Sequence, residues 1–75
     1  MATKIEIEPE DIIEAEAVKR KLKTIKSKNI KMIKRHRYII ISKQKLEDAE
    51  TPYLIARTIK KQFHSNSKKF EEENE

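Results

Sequence analysis

There is no glycine anywhere in this chain of 75 residues. Glycine takes left-handed backbone without a Cβ penalty, so its absence narrows what can be built. The favoured two-residue hairpin turns need positive φ and lean on Gly. The P-loop and the dinucleotide fingerprint need Gly where the backbone approaches phosphate. Both nucleotide-binding motifs are therefore excluded. There is no Cys either, which excludes disulfides and thiolate metal sites. That suits a reducing compartment, and the expected location is the cytoplasm. The longest apolar run, Ile39-Ile40-Ile41 with Tyr38 before it, is too short to cross a bilayer, so no membrane is expected among the partners.

A chain this short makes one domain with a marginal core. Ile, Leu, Val and Phe are just frequent enough to escape the composition of disordered chains. Such a fold gains stability from a partner that binds only its folded state.

The charges are segregated. Residues 1–18 hold six acids and one Lys, whereas no Asp or Glu occurs between Lys19 and Lys45. Across the whole chain 18 Lys and Arg against 13 Asp and Glu give +5, a total that understates the basic centre. A solvated face normally mixes signs, since like charges three or four residues apart repel. A polyanion lying across the run relieves that repulsion. The residues expected to meet nucleic acid are Lys19, Arg20, Lys23, Lys26, Lys28, Lys31, Lys34, Arg35, His36, Arg37 and Tyr38. Arg35 and Arg37 suit bidentate pairing with phosphate. His36 is a weaker phosphate or base contact. Tyr38 is read two ways, as a base-stacking ring or as a half-buried strand residue.

Ile5 and Ile7 alternate with Lys4, Glu6 and Glu8, which predicts a short strand over Thr3–Glu8. Pro9 at a first helical position, with Glu10, Asp11 and Glu14 behind it, predicts a helix from about Pro9 to Lys23. Ala15, Val18, Leu22 and Ile25 fall on its inner arc, with Ile12 at the edge and Ile13 off it. Ser27-Lys28-Asn29 reads as a turn. Ile30–Lys34 and Tyr38–Ser42 read as strands, joined through Arg35-His36-Arg37 as a tight connection or as one long strand. Ile39-Ile40-Ile41 is apolar on both faces and is expected to be a central strand. Ser42 is placed to cap a short helix over Lys43–Glu50. Thr51-Pro52 opens a helix with the stripe Ile55, Ala56, Ile59 and Phe63, expected to end near His64. Residues 65–75 are expected to be a disordered acidic tail. The fold class is α+β: a small two- or three-stranded antiparallel sheet with an N-terminal and a C-terminal helix packed on one face. Residues 1–64 form the basic domain.

Catalysis is not expected. Thr24, Ser27 and Ser42 have no adjacent base to activate them. His36 and His64 have no carboxylate at ligand spacing, so neither a metal nor another cofactor is expected. The acids from Glu6 to Glu16 read as a solvated helix N-terminus.

The order of short words resembles a family of small eukaryotic-type large-subunit ribosomal proteins, the one numbered thirty-eight. The matching residues are Lys4-Ile5-Glu6, Asp11-Ile12-Ile13, Lys23-Thr24-Ile25-Lys26, Asn29-Ile30-Lys31-Met32, Arg37-Tyr38 and Lys45 through Ala49-Glu50. The chain is shorter than that family between Lys26 and Arg37, and ends in a different helix. Ile30 to Arg37 also looks like the first wing of a small-subunit ribosomal winged-helix protein, with Val18–Lys28 as its recognition helix. The first resemblance implies a non-catalytic structural protein held against ribosomal RNA and neighbouring ribosomal proteins. The alternative expectation is a small, possibly dimeric regulator on double-stranded DNA. A protein-interaction module using the Ile55–Phe63 stripe is a third.

Overall fold

The computed structural model describes residues 5–34 and 37–73, with 67–73 described as backbone alone. The element order is α1 (Pro9–Leu22), β1 (Asn29–Lys34), β2 (Arg37–Ser42), α2 (Lys43–Glu47) and α3 (Pro52–Glu73). This is the expected α+β architecture, with a two-stranded antiparallel sheet and helices before and after it.

The start of α1 follows from its sequence. Pro9 occupies the first turn, where its missing N–H costs nothing. The Glu8 N–H donates to Asp11 Oδ2 at 2.8 Å, half of a capping box. Ala15 and Leu22 are buried, while Ile12, Val18 and Ile25 pack at the edge of the core. Ile13 lies off the stripe and is exposed. The helix ends before Lys23, and no helix spans Val18–Lys28. The recognition helix of the winged-helix resemblance is therefore not formed.

The hairpin register pairs Asn29 with Ser42 through to Lys34 with Arg37. Only residues 35–36 separate the strands, and they lie outside the described residues. A short connection thus forms without Gly. Side-chain alternation explains the register: it turns Ile30, Ile39 and Ile41 inward together, and a slip by one residue would expose all three. Ile40 faces the other way and is 50% exposed. The expectation of a central strand buried on both faces is corrected: β2 has helices on one side only, so one face of the apolar run stays open. The predicted strand over Thr3–Glu8 also does not form in its described part. Residues 5–8 join no sheet. Instead the Glu6 carbonyl accepts from Lys60 Nζ at 2.8 Å, and Ile7 packs against the core.

Ser42 stands at the N-cap of α2 but makes no side-chain capping bond. The first N–H of α2, from Lys43, donates instead to Lys28 O at 2.7 Å, which extends the strand ladder by one pair. Leu46, from this short helix, is fully buried. Thr51 caps α3 as its sequence indicates: Leu54 N donates to Thr51 Oγ1 at 3.2 Å. Ile55, Ala56 and Ile59 are buried, and Phe63 packs beside them. The helix does not stop near His64 but continues to Glu73, so the segment expected to be a disordered tail is helical that far. No Gly or Pro follows Pro52 to end the helix.

The helices form one layer and the hairpin the other. Helix α3 lies along β2, and α1 packs on α3. Asn66 Nδ2 donates to Tyr38 O at 3.3 Å, tying α3 to the outer edge of β2.

Candidate nucleic-acid interface

The acid-free run from Lys19 to Lys45 does not behave as one surface. Arg20 and Lys21 are exposed on the last turn of α1, and Lys23, Lys26 and Lys28 are exposed on the segment leading to β1. Lys31 is exposed on the outer face of β1. None of these six makes an ion pair among the described residues, and together they form the open cationic part. Lys19 is also exposed, but its Nζ donates to Glu50 O at 2.9 Å.

Lys34 departs from the expectation. Strand alternation turns it inward, opposite in sense to Lys31. Its Nζ lies 3.0 Å from Asp11 Oδ1 and 3.3 Å from Glu14 Oε2. Burial presses its pKa downward, but the hydrogen bond it donates to Asp11 and the charge of Glu14 outweigh that and raise it above 10.5. Lys34 is thus held by this molecule's own acids, and we remove it from the set that meets phosphate. Arg37 is half-buried at the closing pair of the hairpin. Arg35 and His36 lie outside the described residues. Tyr38 is 64% exposed on the outer face, more open than the half-buried strand residue of one reading.

The acids of the N-terminal segment are not uniformly solvated either. Asp11 is only 7% exposed. Its Oδ2 also takes Lys60 Nζ at 2.9 Å. Burial works to raise its pKa, yet the Glu8 N–H, Lys60 and Lys34 together hold it at about 2, against an ordinary 3.8. Its sequence signal was ambiguous, because an acid in a first turn is also what an exposed cap looks like.

A cleft of about 390 Å³ opens where the loop before β1 meets the start of α2. Lys26, Lys28, Lys43, Gln44, Ser27, Ser42 and Glu47 line it. Two of the expected lysines are thereby brought together with two hydroxyls that sequence reasoning had dismissed only as nucleophiles. Lys43 was missed as well. Its Nζ donates to Ile25 O and lies 3.6 Å from Glu47 Oε1, so its charge is partly matched. The signal available for Lys43 was its place in the acid-free run. Ser27 Oγ donates to Asn29 O at 2.8 Å, which shapes the loop. A second basic group was also missed: Lys45, Arg57 and Lys61 line an open depression beside Asp48. They belong to the consecutive helices α2 and α3.

The geometry can hold a polyanion. Six open cations lie on one continuous stretch. Glu47 and Glu50 line clefts shared with Lys23, Lys26 and Lys28, and Glu16 lies one helical turn before Arg20, yet no ion pair joins them to the six among the described residues. No family model, curated protein or solved structure matches the chain.

Proposed function

We propose that this protein is a structural RNA-binding component of a ribonucleoprotein, that it holds RNA by its phosphates, and that its assembly is the large ribosomal subunit. The observation that supports the ligand is the stretch from Arg20 to Lys31, where six cations are exposed and none meets a carboxylate among the described residues. The cost of crowding them falls when phosphates lie across them and displaced counterions return to solution. The assembly rests on the sequence resemblance. The small core fits a chain that gains stability from its partner. The expected residues are Arg20, Lys21, Lys23, Lys26, Lys28 and Lys31, with Lys19 at the edge.

The test is binding to structured RNA across a salt series, alongside co-sedimentation with ribosomal particles from the source organism. With about six phosphate contacts, log affinity falls with log salt at a slope near about −4 to −5. Association that ignores salt would exclude the phosphate reading. Salt-dependent RNA binding without co-sedimentation would keep the ligand and exclude the ribosome.

A further inference from the structure

Phosphate contacts account for the lysines but not for the surface between them. The outer face of the hairpin exposes Ile33 at 68%, Tyr38 at 64% and Ile40 at 50%. The register sets Tyr38 directly opposite Ile33, and Ile40 opposite Lys31. The bond from Lys43 N to Lys28 O fixes which pairs share ladder hydrogen bonds. Counting from it, the inward pairs Ile30–Ile41 and Met32–Ile39 are the hydrogen-bonded ones. The outward pairs are the non-bonded kind, in which side chains stand closest, with Cβ atoms roughly 5 Å apart. Ile33, Tyr38 and Ile40 therefore make one contiguous patch, with Lys31 inside it. Neither strand contains an acid, and the helices pack on the opposite side of the sheet.

The charge decides what fits. A second copy laid face to face would press its own Lys31 into the same acid-free patch, with no counter-charge on either side. An anionic occupant matches Lys31, the cation that shares this face. It must also offer apolar surface, which phosphate does not. Unpaired nucleotides have both: a flat ring that stacks on an exposed aromatic side chain, and a phosphate on each side of it. A duplex keeps its ring faces inside its own stack and cannot use Tyr38. We propose that the outer face of the hairpin holds an unpaired stretch of RNA, with a base stacked on Tyr38 beside Ile33 and Ile40 and a flanking phosphate on Lys31. This rests on the RNA-binding reading and narrows it from phosphates in general to single-stranded RNA.

The test compares the intact protein with Tyr38→Ala, Tyr38→Thr and Tyr38→Phe by fluorescence anisotropy at one low salt concentration. The probes are a mixed-sequence single-stranded RNA of about twelve nucleotides, the same sequence as an RNA duplex, and a DNA duplex. Single-stranded RNA should bind at least about tenfold tighter than either duplex. Tyr38→Ala and Tyr38→Thr should each weaken it about tenfold, and Tyr38→Phe should retain it. Duplex affinity should not change in any variant. Thr favours strands, so one truncation survives even if Ala disturbs the hairpin, and circular dichroism checks both. Equal affinity for single strand and duplex, or no loss with either truncation, would overturn base stacking. Salt-dependent binding would then still support the phosphate reading. No binding to any probe would overturn both. Tyr38-dependent binding to phosphatidylserine vesicles in preference to RNA would overturn the proposal in favour of a lipid surface. A Tyr38-dependent dimer in sedimentation would overturn it in favour of a second copy.

Discussion

Lys34 Nζ, near the end of β1, donates to Asp11 Oδ1 in the first turn of α1 at 3.0 Å, across 23 positions of sequence. The other carboxylate oxygen accepts from Lys60 on α3 at 2.9 Å and from the Glu8 N–H at 2.8 Å. One side chain therefore joins the hairpin, the start of α1 and the middle of α3. Desolvating three charges is costly, and good geometry is what offsets it. Asp11 has that geometry, because both of its oxygens are used.

Acid should loosen this junction at a defined pH. The folded-state pKa of Asp11, about 2, lies below its ordinary 3.8. A depressed carboxylate stabilises the fold above its unfolded pKa, and the contribution is lost as pH falls through the folded one. The thermal midpoint should thus fall between about pH 4 and pH 2, with Asp11 supplying about 1–2 kcal/mol after allowance for solvent screening. Lys34 acts at the other end of the scale. Its raised pKa keeps its contribution below 10.5 and loses it only above that. Asp11→Asn should be less stable at neutral pH and should lose this part of the acid dependence. An unchanged acid limb in Asp11→Asn melts would show that other carboxylates carry it.

Lys31 and Lys34 lie on the same strand three residues apart, yet reversing their charge should have different consequences. Lys34→Glu brings a third acid against Asp11 and Glu14, and should cost about 3–5 kcal/mol, as for a broken buried pair. Lys31→Glu sits on the open face and should change stability by less than about 0.5 kcal/mol. Urea unfolding of the two variants measures the contrast. Equal losses would contradict the alternation of their side chains across the strand.

That pair also shows what the sequence makes legible. Both lysines belong to an acid-free run, and composition treats them alike. What separates them is the facing of one strand and the arrival of an acid from 23 positions away, neither of which is a local property. The stripe Ile55, Ala56, Ile59 and the Thr51-Pro52 start of α3 were readable because helical periodicity and capping are local. The first strand was misplaced because alternating Ile5 and Ile7 describe an extended segment equally well when no strand pairs with it among the described residues. The end of α3 was misplaced because polarity after His64 resembles a loop, although nothing there breaks a helix. The open cations were legible as a stretch; the cleft at Ser27, Ser42 and Lys43 was not, since it forms only when the loop closes on α2.

Neighbouring isoleucines in β2 should differ sharply. Ile39 is fully buried and Ile40 is half exposed. Ile39→Ala removes core contacts and leaves a cavity, and should cost about 2–5 kcal/mol. Ile40→Ala removes part of an open face and should cost less than about 1 kcal/mol. Denaturant midpoints of the two proteins check this. A loss at Ile40 as large as that at Ile39 would mean its face is covered in the free protein, by a second copy for instance, and a concentration series would reveal that.

Lys26 and Lys28 permit the cleanest separation of binding from folding. Both are exposed on the segment before β1, both line the cleft, and neither makes an ion pair among the described residues. Replacing both with Gln removes two charges without orphaning a carboxylate. Urea stability should therefore stay within about 0.5 kcal/mol of the parent. Affinity for RNA should fall. More tellingly, the slope of log affinity against log salt should become shallower by about 1.5, because each lost phosphate contact withholds its share of released counterions. A weaker affinity with an unchanged slope would mean that these lysines do not meet phosphate, and the cationic stretch would then have to work through Arg20, Lys21, Lys23 and Lys31 alone.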